Sequence, residues 1–267
     1  MAFQTRLPDF RTFQPRNTTP IDRLNRWIRE YYAPLCGRCD FLDVVLASVF
    51  RQALRDQVAR LESSLDVTAT ALFQYSPQQL LEKIDAIHQE IAPDMEFSLD
   101  LGLSRRISRE VLQKNLDAFL AAALADRMIG GIDLYDQEDA QPPEVFRPLY
   151  QQAKSAGLLR KAHVGEFGSP ESVRSTVEIL ELDEIQHGIQ IYRSPEVMRW
   201  IVERNIPLNL SPISNQILGA VDFHTPPSPL EILTSAGVAF TFHTDDFLLF
   251  ETSIQEQEKI FLTSPGQ

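Results

Sequence analysis

Three features of this sequence predict an α/β chain whose parallel sheet rolls into a (β/α)8, TIM-type barrel. Short apolar runs alternate with amphipathic helical stretches from residue 65 onwards, the pattern of a parallel sheet covered by helices. No glycine-rich phosphate loop follows the first apolar run, which argues against an open doubly wound sheet. Polar residues collect where the apolar runs end, as they do at the mouth of a barrel. Only seven strands are recognisable, so the barrel is expected to be incomplete.

The whole chain, 1–267, reads as one domain: an N-terminal helical segment over 1–64 and strand–helix repeats over 65–254. Residues 1–19 are weakly patterned. Helical periodicity runs from Pro20 to Leu35 and from Asp40 to Ser63. In the second stretch Phe41, Val44, Val45, Val49, Ala53 and Leu54 recur at three- and four-residue intervals. Strands are expected at Leu65–Phe73, Met95–Leu103, Met128–Leu134, Leu158–Val164, Ile185–Ile191, Ile206–Leu210 and Val238–Thr244. Helices are expected at Pro77–Ile91, Ser108–Asp126, Pro143–Ala156, Pro170–Leu182, Pro195–Arg204 and Pro229–Ser235. Four of these open on a Ser-Pro pair: Ser76-Pro77, Ser169-Pro170, Ser194-Pro195 and Ser228-Pro229. Serine accepts from the free amides of the first turn, and proline suits the first helical position because its missing N–H is not needed there.

Composition narrows the function classes. A hydrophobic content of 43% is enough for a substantial core. The formal charge of -12 disfavours nucleic acid or an anionic membrane as the main partner and leaves small molecules open. No apolar run approaches the ~20 residues of a membrane span. The first residues lack the apolar core of a signal peptide, so a soluble cytoplasmic protein is expected. The only cysteines, Cys36 and Cys39, are too few for a four-cysteine metal site and read as two thiols in a turn between helices.

The chain is organised around Lys161-Ala162-His163-Val164-Gly165-Glu166-Phe167-Gly168, where a strand gives way to a loop. A neutral imidazole there can bind a metal, and a carboxyl group three residues on can move a proton beside it. Three later strand ends add Gln186-His187-Gly188, Ser211-Pro212-Ile213-Ser214-Asn215 and His243-Thr244-Asp245-Asp246. Each has a bland explanation alone. Together they place His163, Glu166, His187, Asp245 and Asp246 around one cavity.

This set resembles the adenosine deaminase family, zinc-dependent purine aminohydrolases on a (β/α)8 barrel within the amidohydrolase group. Gly131-Ile132-Asp133-Leu134 followed by Glu138 resembles a further motif of the family, and the likeness runs from about Leu65 to Ile254. It implies His163 and Asp245 as Zn2+ ligands. Glu166 becomes the acid that protonates the purine ring, and His187 the residue that orients or deprotonates the attacking water. Asp246 bonds N7 of the base, and the backbone amide of Asp136 reaches the base. The substrate implied is a purine nucleoside or base, adenosine or a related aminopurine.

The sequence also departs from the family pattern. The family's first-strand His-x-His pair, which supplies two further metal ligands, has no counterpart, since the first histidine is His88 inside an expected helix. Tyr135 and Asp136 stand where the family has Ala and Gly, and Phe247 stands where it has Pro. The closing C-terminal helices of the family are not recognisable. The expected consequences are weak metal binding, slow turnover or a pocket that only binds, and unpaired strand edges open to self-association. His243, on the same side of its strand as Asp245, is a candidate replacement ligand.

Overall fold

The computed structural model describes residues 7–38, 40–122 and 128–263. Seven strands form one all-parallel sheet in sequential order: β1 (Arg60–Asp66), β2 (Glu96–Ser104), β3 (Ile129–Tyr135), β4 (Leu159–Val164), β5 (Glu184–His187), β6 (Leu208–Leu210) and β7 (Phe240–Phe242). The helices are α1 (Pro20–Trp27), α2 (Ala33–Cys36), α3 (Phe41–Arg55), α4 (Ala69–Phe73), α5 (Pro77–Ile91), α6 (Arg109–Ala122) and α7 (Arg147–Ser155). They continue with α8 (Pro170–Leu180), α9 (Pro195–Arg204), α10 (Pro212–Ile217), α11 (Pro229–Ser235), α12 (Phe247–Phe250) and α13 (Ile254–Thr263). A π-helical turn, Ile28–Tyr32, joins α1 to α2. This is an incomplete (β/α)8 barrel, as expected.

Side-chain contacts across the sheet show how strongly it curls. Lys161 on β4 reaches Glu62 on β1 at 2.6 Å, Asp100 on β2 at 3.0 Å and Glu184 on β5 at 3.4 Å. Strands three places apart can share one ammonium only if the sheet bends round a concave interior. The polar layer continues through Asn209 on β6, which donates to Glu184, and Thr241 on β7, which donates to Asn209. The apolar faces of the strands point the other way. Leu99, Leu101, Ile132, Leu134, Ala162, Ile185 and Leu208 are buried beneath the helices in one continuous core.

All four Ser-Pro starts hold. Ser76 and Ser228 form full capping boxes with Gln79 and Glu231, and Ser169 and Ser194 accept from the amides of Ser172 and Val197. Other boundaries move. The helix expected to Ser63 stops at Arg55, and the strand expected at Leu65–Phe73 begins earlier, at Arg60, and ends at Asp66. Residues 69–73 are helical. In β1 the polar residues Glu62, Ser64 and Asp66 alternate onto one face, of which Glu62 bonds Lys161, so the strand carries no apolar run to betray it. Ile185–Ile191 also splits: β5 ends at His187, where the backbone turns left-handed, and Ile189–Arg193 is a short 3-10 helix.

The N-terminal segment packs at the mouth of the barrel. Phe10 and Trp27 are buried against Leu218, Leu249 and Phe250, residues that follow β6 and β7. Polar contacts fasten its other side: Asp22 pairs with Arg106, and Asn25 donates to Asp136 beyond β3. His88 is a core residue, stacked on Phe50 and bonded to the Met95 carbonyl. Cys36 is a buried free thiol at the end of α2, whereas Cys39 lies outside the described residues.

Candidate active site

The loop after β4 sets the site. Gly165 takes a φ of +71°, and a side chain there would collide with Val173 of α8. The chain then doubles back through Glu166, Phe167 and Gly168, whose amides, with that of Gly165, all donate to the carboxylate of Glu138 at 2.7–3.1 Å. The Glu166 carbonyl accepts from the Gln190 side chain at 2.9 Å. Its carboxyl group accepts from the Asn215 amide at 3.3 Å and lies 4.0 Å from Nε2 of His187. Glu166 is buried, and burial is the main force raising its pKa above the ordinary carboxylate value. The charge of Asp245 adds to this, while His187 opposes it.

His187 closes β5 with a φ of +63° and is followed by Gly188 at +68°. Left-handed backbone at a non-glycine residue is held only where its surroundings impose it. Here the imidazole is buried, and its Nδ1 pairs with the Asn215 amide at 3.0 Å. One amide, on α10 after β6, therefore touches both Glu166 and His187.

His163 ends β4 with its ring 5.0 Å from that of His187. Its Nδ1 meets Asp133 at 3.1 Å, the arrangement that fixes an imidazole and leaves Nε2 facing outward. Burial works to lower its pKa, but Asp133 first, then Asp245 and Glu166, carry it to about 9. Asp245 and Asp246 follow β7. Asp245 has a φ of +55° and accepts from the amide of Asp246. The Asp246 carboxyl is pushed up, by the confinement of the mouth and by Asp245, although its residue still meets solvent.

The five expected residues thus gather at the ends of β4, β5 and β7. Two others sit differently. Asp136 has a φ of +80°, and its side chain accepts from Asn25, Ser104, Arg106 and the Gln137 amide. His243 bonds Thr241 at 2.8 Å beside the Lys161 layer, and burial with the Lys161 charge lowers its pKa to about 4. Glu138, Asp133 and Asn215 lie inside the motifs quoted above, yet nothing in those motifs assigned them a partner. Arg105 carries no sequence signal at all: it is buried, donates to the His163 carbonyl at 3.2 Å and faces Glu138 and Asp133.

The adenosine deaminase family profile matches residues 8–266. The chain belongs to the adenosine deaminase family. A putative adenosine/adenine deaminase of Treponema pallidum is 30% identical over 252 residues, 94% of this chain and 81% of that protein. Adenine deaminases of Chlorobium luteolum and Cupriavidus metallidurans are 32% and 31% identical over 55% and 84% of this chain. The chain spans only 44% and 63% of those two proteins. Among solved structures, the adenine deaminase of Arthrobacter aurescens superposes with a TM-score of 0.79 at 24% identity, covering 92% of this chain and 74% of that one. A zinc-bound amidohydrolase from Burkholderia ambifaria gives 0.74 at 23%, covering 88% and 67%. At these identities the two structures establish the fold. The family and the relatives' names are those of hydrolases acting on C–N bonds of purines, and no described helix is long and apolar enough to cross a membrane.

Proposed function

We propose that the chain carries a purine deaminase site, for hydrolytic removal of the amino group of adenosine or a related aminopurine, adenine included. The observation that carries this is Glu166: buried, pushed towards its neutral form and tied to His187 through Asn215. A neutral carboxyl group can protonate a ring nitrogen, so that the ring accepts electrons from an incoming water. His187 faces the same space and orients that water. Asp246 and the backbone amide of Asp136 are assigned to the base. The outer edges of β1 and β7, each paired with a single neighbour among the described residues, are the proposed route to self-association.

Zinc is the metal that the family resemblance implies, with His163 and Asp245 as ligands. The donor set falls short of it. Catalytic zinc ordinarily uses three protein ligands, and among the described residues no three His, Cys, Asp or Glu side chains are arranged to hold an ion. Burial works against a charge on His163, but Asp133, Asp245 and Glu166 favour its protonated form, with which a metal must compete. Zinc is therefore expected to bind weakly, below one equivalent, and turnover to be slow.

Elemental analysis with ammonia release from adenosine and adenine tests both statements. Release that is slow but lost in Glu166→Gln supports the assignment. Adenine bound with no release at all would make the site a binding module, and one tightly held zinc per chain would overturn the weak-metal expectation.

A further inference from the structure

The loop 165–168 is built as an anion cradle, and the anion it holds belongs to the chain itself. Four consecutive backbone amides converging on one point form the kind of concave nest that binds phosphate or carboxylate groups. Here Oε2 of Glu138 takes the Gly165 amide at 2.7 Å, and Oε1 takes those of Glu166, Phe167 and Gly168 at 3.1, 2.9 and 3.0 Å. The fit is close enough to exclude a side chain at the far end: a Cβ on Gly168 would run into the Glu138 carboxylate. Glu138 comes from the loop after β3, so it clamps one strand end to the next. Buried Arg105 lies between them, facing Glu138 and donating to the His163 carbonyl.

We infer that Glu138 is a positioning residue for Glu166, holding the loop that presents the acid in the one conformation that aims it at His187. Three attachments meet at Glu166. Its amide is fixed by Glu138, its carbonyl by Gln190 and its carboxyl group by Asn215. Asn215 fixes one oxygen of Glu166, and Gln190 fixes two carbonyls, that of Glu166 through its side chain and that of Gly165 through its backbone amide at 2.9 Å. Glu138 alone fixes four successive peptide units, and so sets the path of the loop. Without it, four amides that donate to no other group among the described residues would have to find water, and the loop would be free to re-register. A displacement of about 1 Å at an acid or base typically costs on the order of 100-fold in rate while leaving ground-state binding largely intact. This inference rests on the deaminase assignment for its kinetic consequence but not for its structural one.

The test compares Glu138→Ala, Glu138→Gln and Glu138→Asp with the unaltered chain. Hydrogen exchange of the four amides at 165–168 is read first, because it needs no turnover. Exchange at least tenfold faster in Glu138→Ala, with the β4 amides unchanged, is expected, and Glu138→Gln should lie between because one acceptor oxygen survives. Kinetics with adenine are expected to show kcat reduced ~10–100-fold and KM altered less than about threefold, with partial recovery in Glu138→Gln. A folded Glu138→Ala with unchanged loop exchange overturns the inference. So does a loss carried by KM alone. If Glu138→Ala does not fold, the Glu138→Gln and Glu138→Asp proteins carry the same comparison. An unaltered chain that releases no ammonia overturns the deaminase assignment and leaves the exchange result to decide the role of Glu138.

Discussion

Replacing Lys161 by Met isolates the charged layer inside the barrel. Lys161 is 1% exposed and serves Glu62, Asp100 and Glu184 at 2.6, 3.0 and 3.4 Å. Burial would lower its pKa, but the three carboxylates hold it well above its usual value. Burial likewise works to raise Glu62, yet Lys161 keeps it below the ordinary carboxylate value. Asp100 stays up at about 6 even with the ammonium beside it, chiefly because it is buried. Methionine matches the bulk and removes the charge, leaving three like charges confined together. Breaking a buried ion pair from one side costs ~3–5 kcal/mol. Each stranded carboxylate can escape by taking a proton, which costs about 4 kcal/mol at pH 7 for a group of unfolded pKa near 4, and only about 1.4 at pH 5. The sign follows from that. A carboxylate raised in the folded state adds stability below its unfolded pKa and loses it as pH rises through the folded one. At about 2–4 °C per kcal/mol for a chain of this size, Lys161→Met should melt roughly 10–15 °C lower at pH 7 and recover about two thirds of that deficit at pH 5. Calorimetry or circular dichroism from pH 5 to 8 reads it. A deficit that is the same at both pH values, or under about 2 kcal/mol at pH 7, would refute the picture of a dry, lysine-centred layer.

Two further outcomes follow from local geometry. Ser228→Ala removes a capping box on α11, where Ser228 and Glu231 satisfy each other's amides, and should cost about 0.5–2 kcal/mol in denaturant unfolding without changing adenine binding. Asn215→Ala leaves buried His187 and Glu166 without their shared amide; we expect a loss of about 1–3 kcal/mol and a fall in kcat larger than that in Ser228→Ala, measured on the same preparations.

Local chemistry was enough to locate the helix starts, because a serine cap and a proline act within four residues. It was also enough for the strand–helix alternation from β2 onwards, since burial beneath helices forces apolar residues onto the outer faces of those strands. That His163, Glu166, His187, Asp245 and Asp246 would gather at one end of the sheet was legible in the motifs, because each lies at or just beyond a strand end. Other features needed the folded chain. β1 was misplaced because its inner face is polar: Glu62 makes sense only beside Lys161, 99 residues away. Nothing local to Asp136 foretold its partners, for Asn25 lies 111 residues before it and Arg106 30 residues before it. His243 had the right parity for a metal ligand, but the lysine layer claimed it. The state of Glu166 is likewise tertiary, for a carboxyl group is held towards its neutral form by burial and neighbouring charge, and neither is encoded within a few residues of it. Sequence periodicity reports which face of an element is covered. Only the curling of the sheet decides which polar side chains then meet inside it.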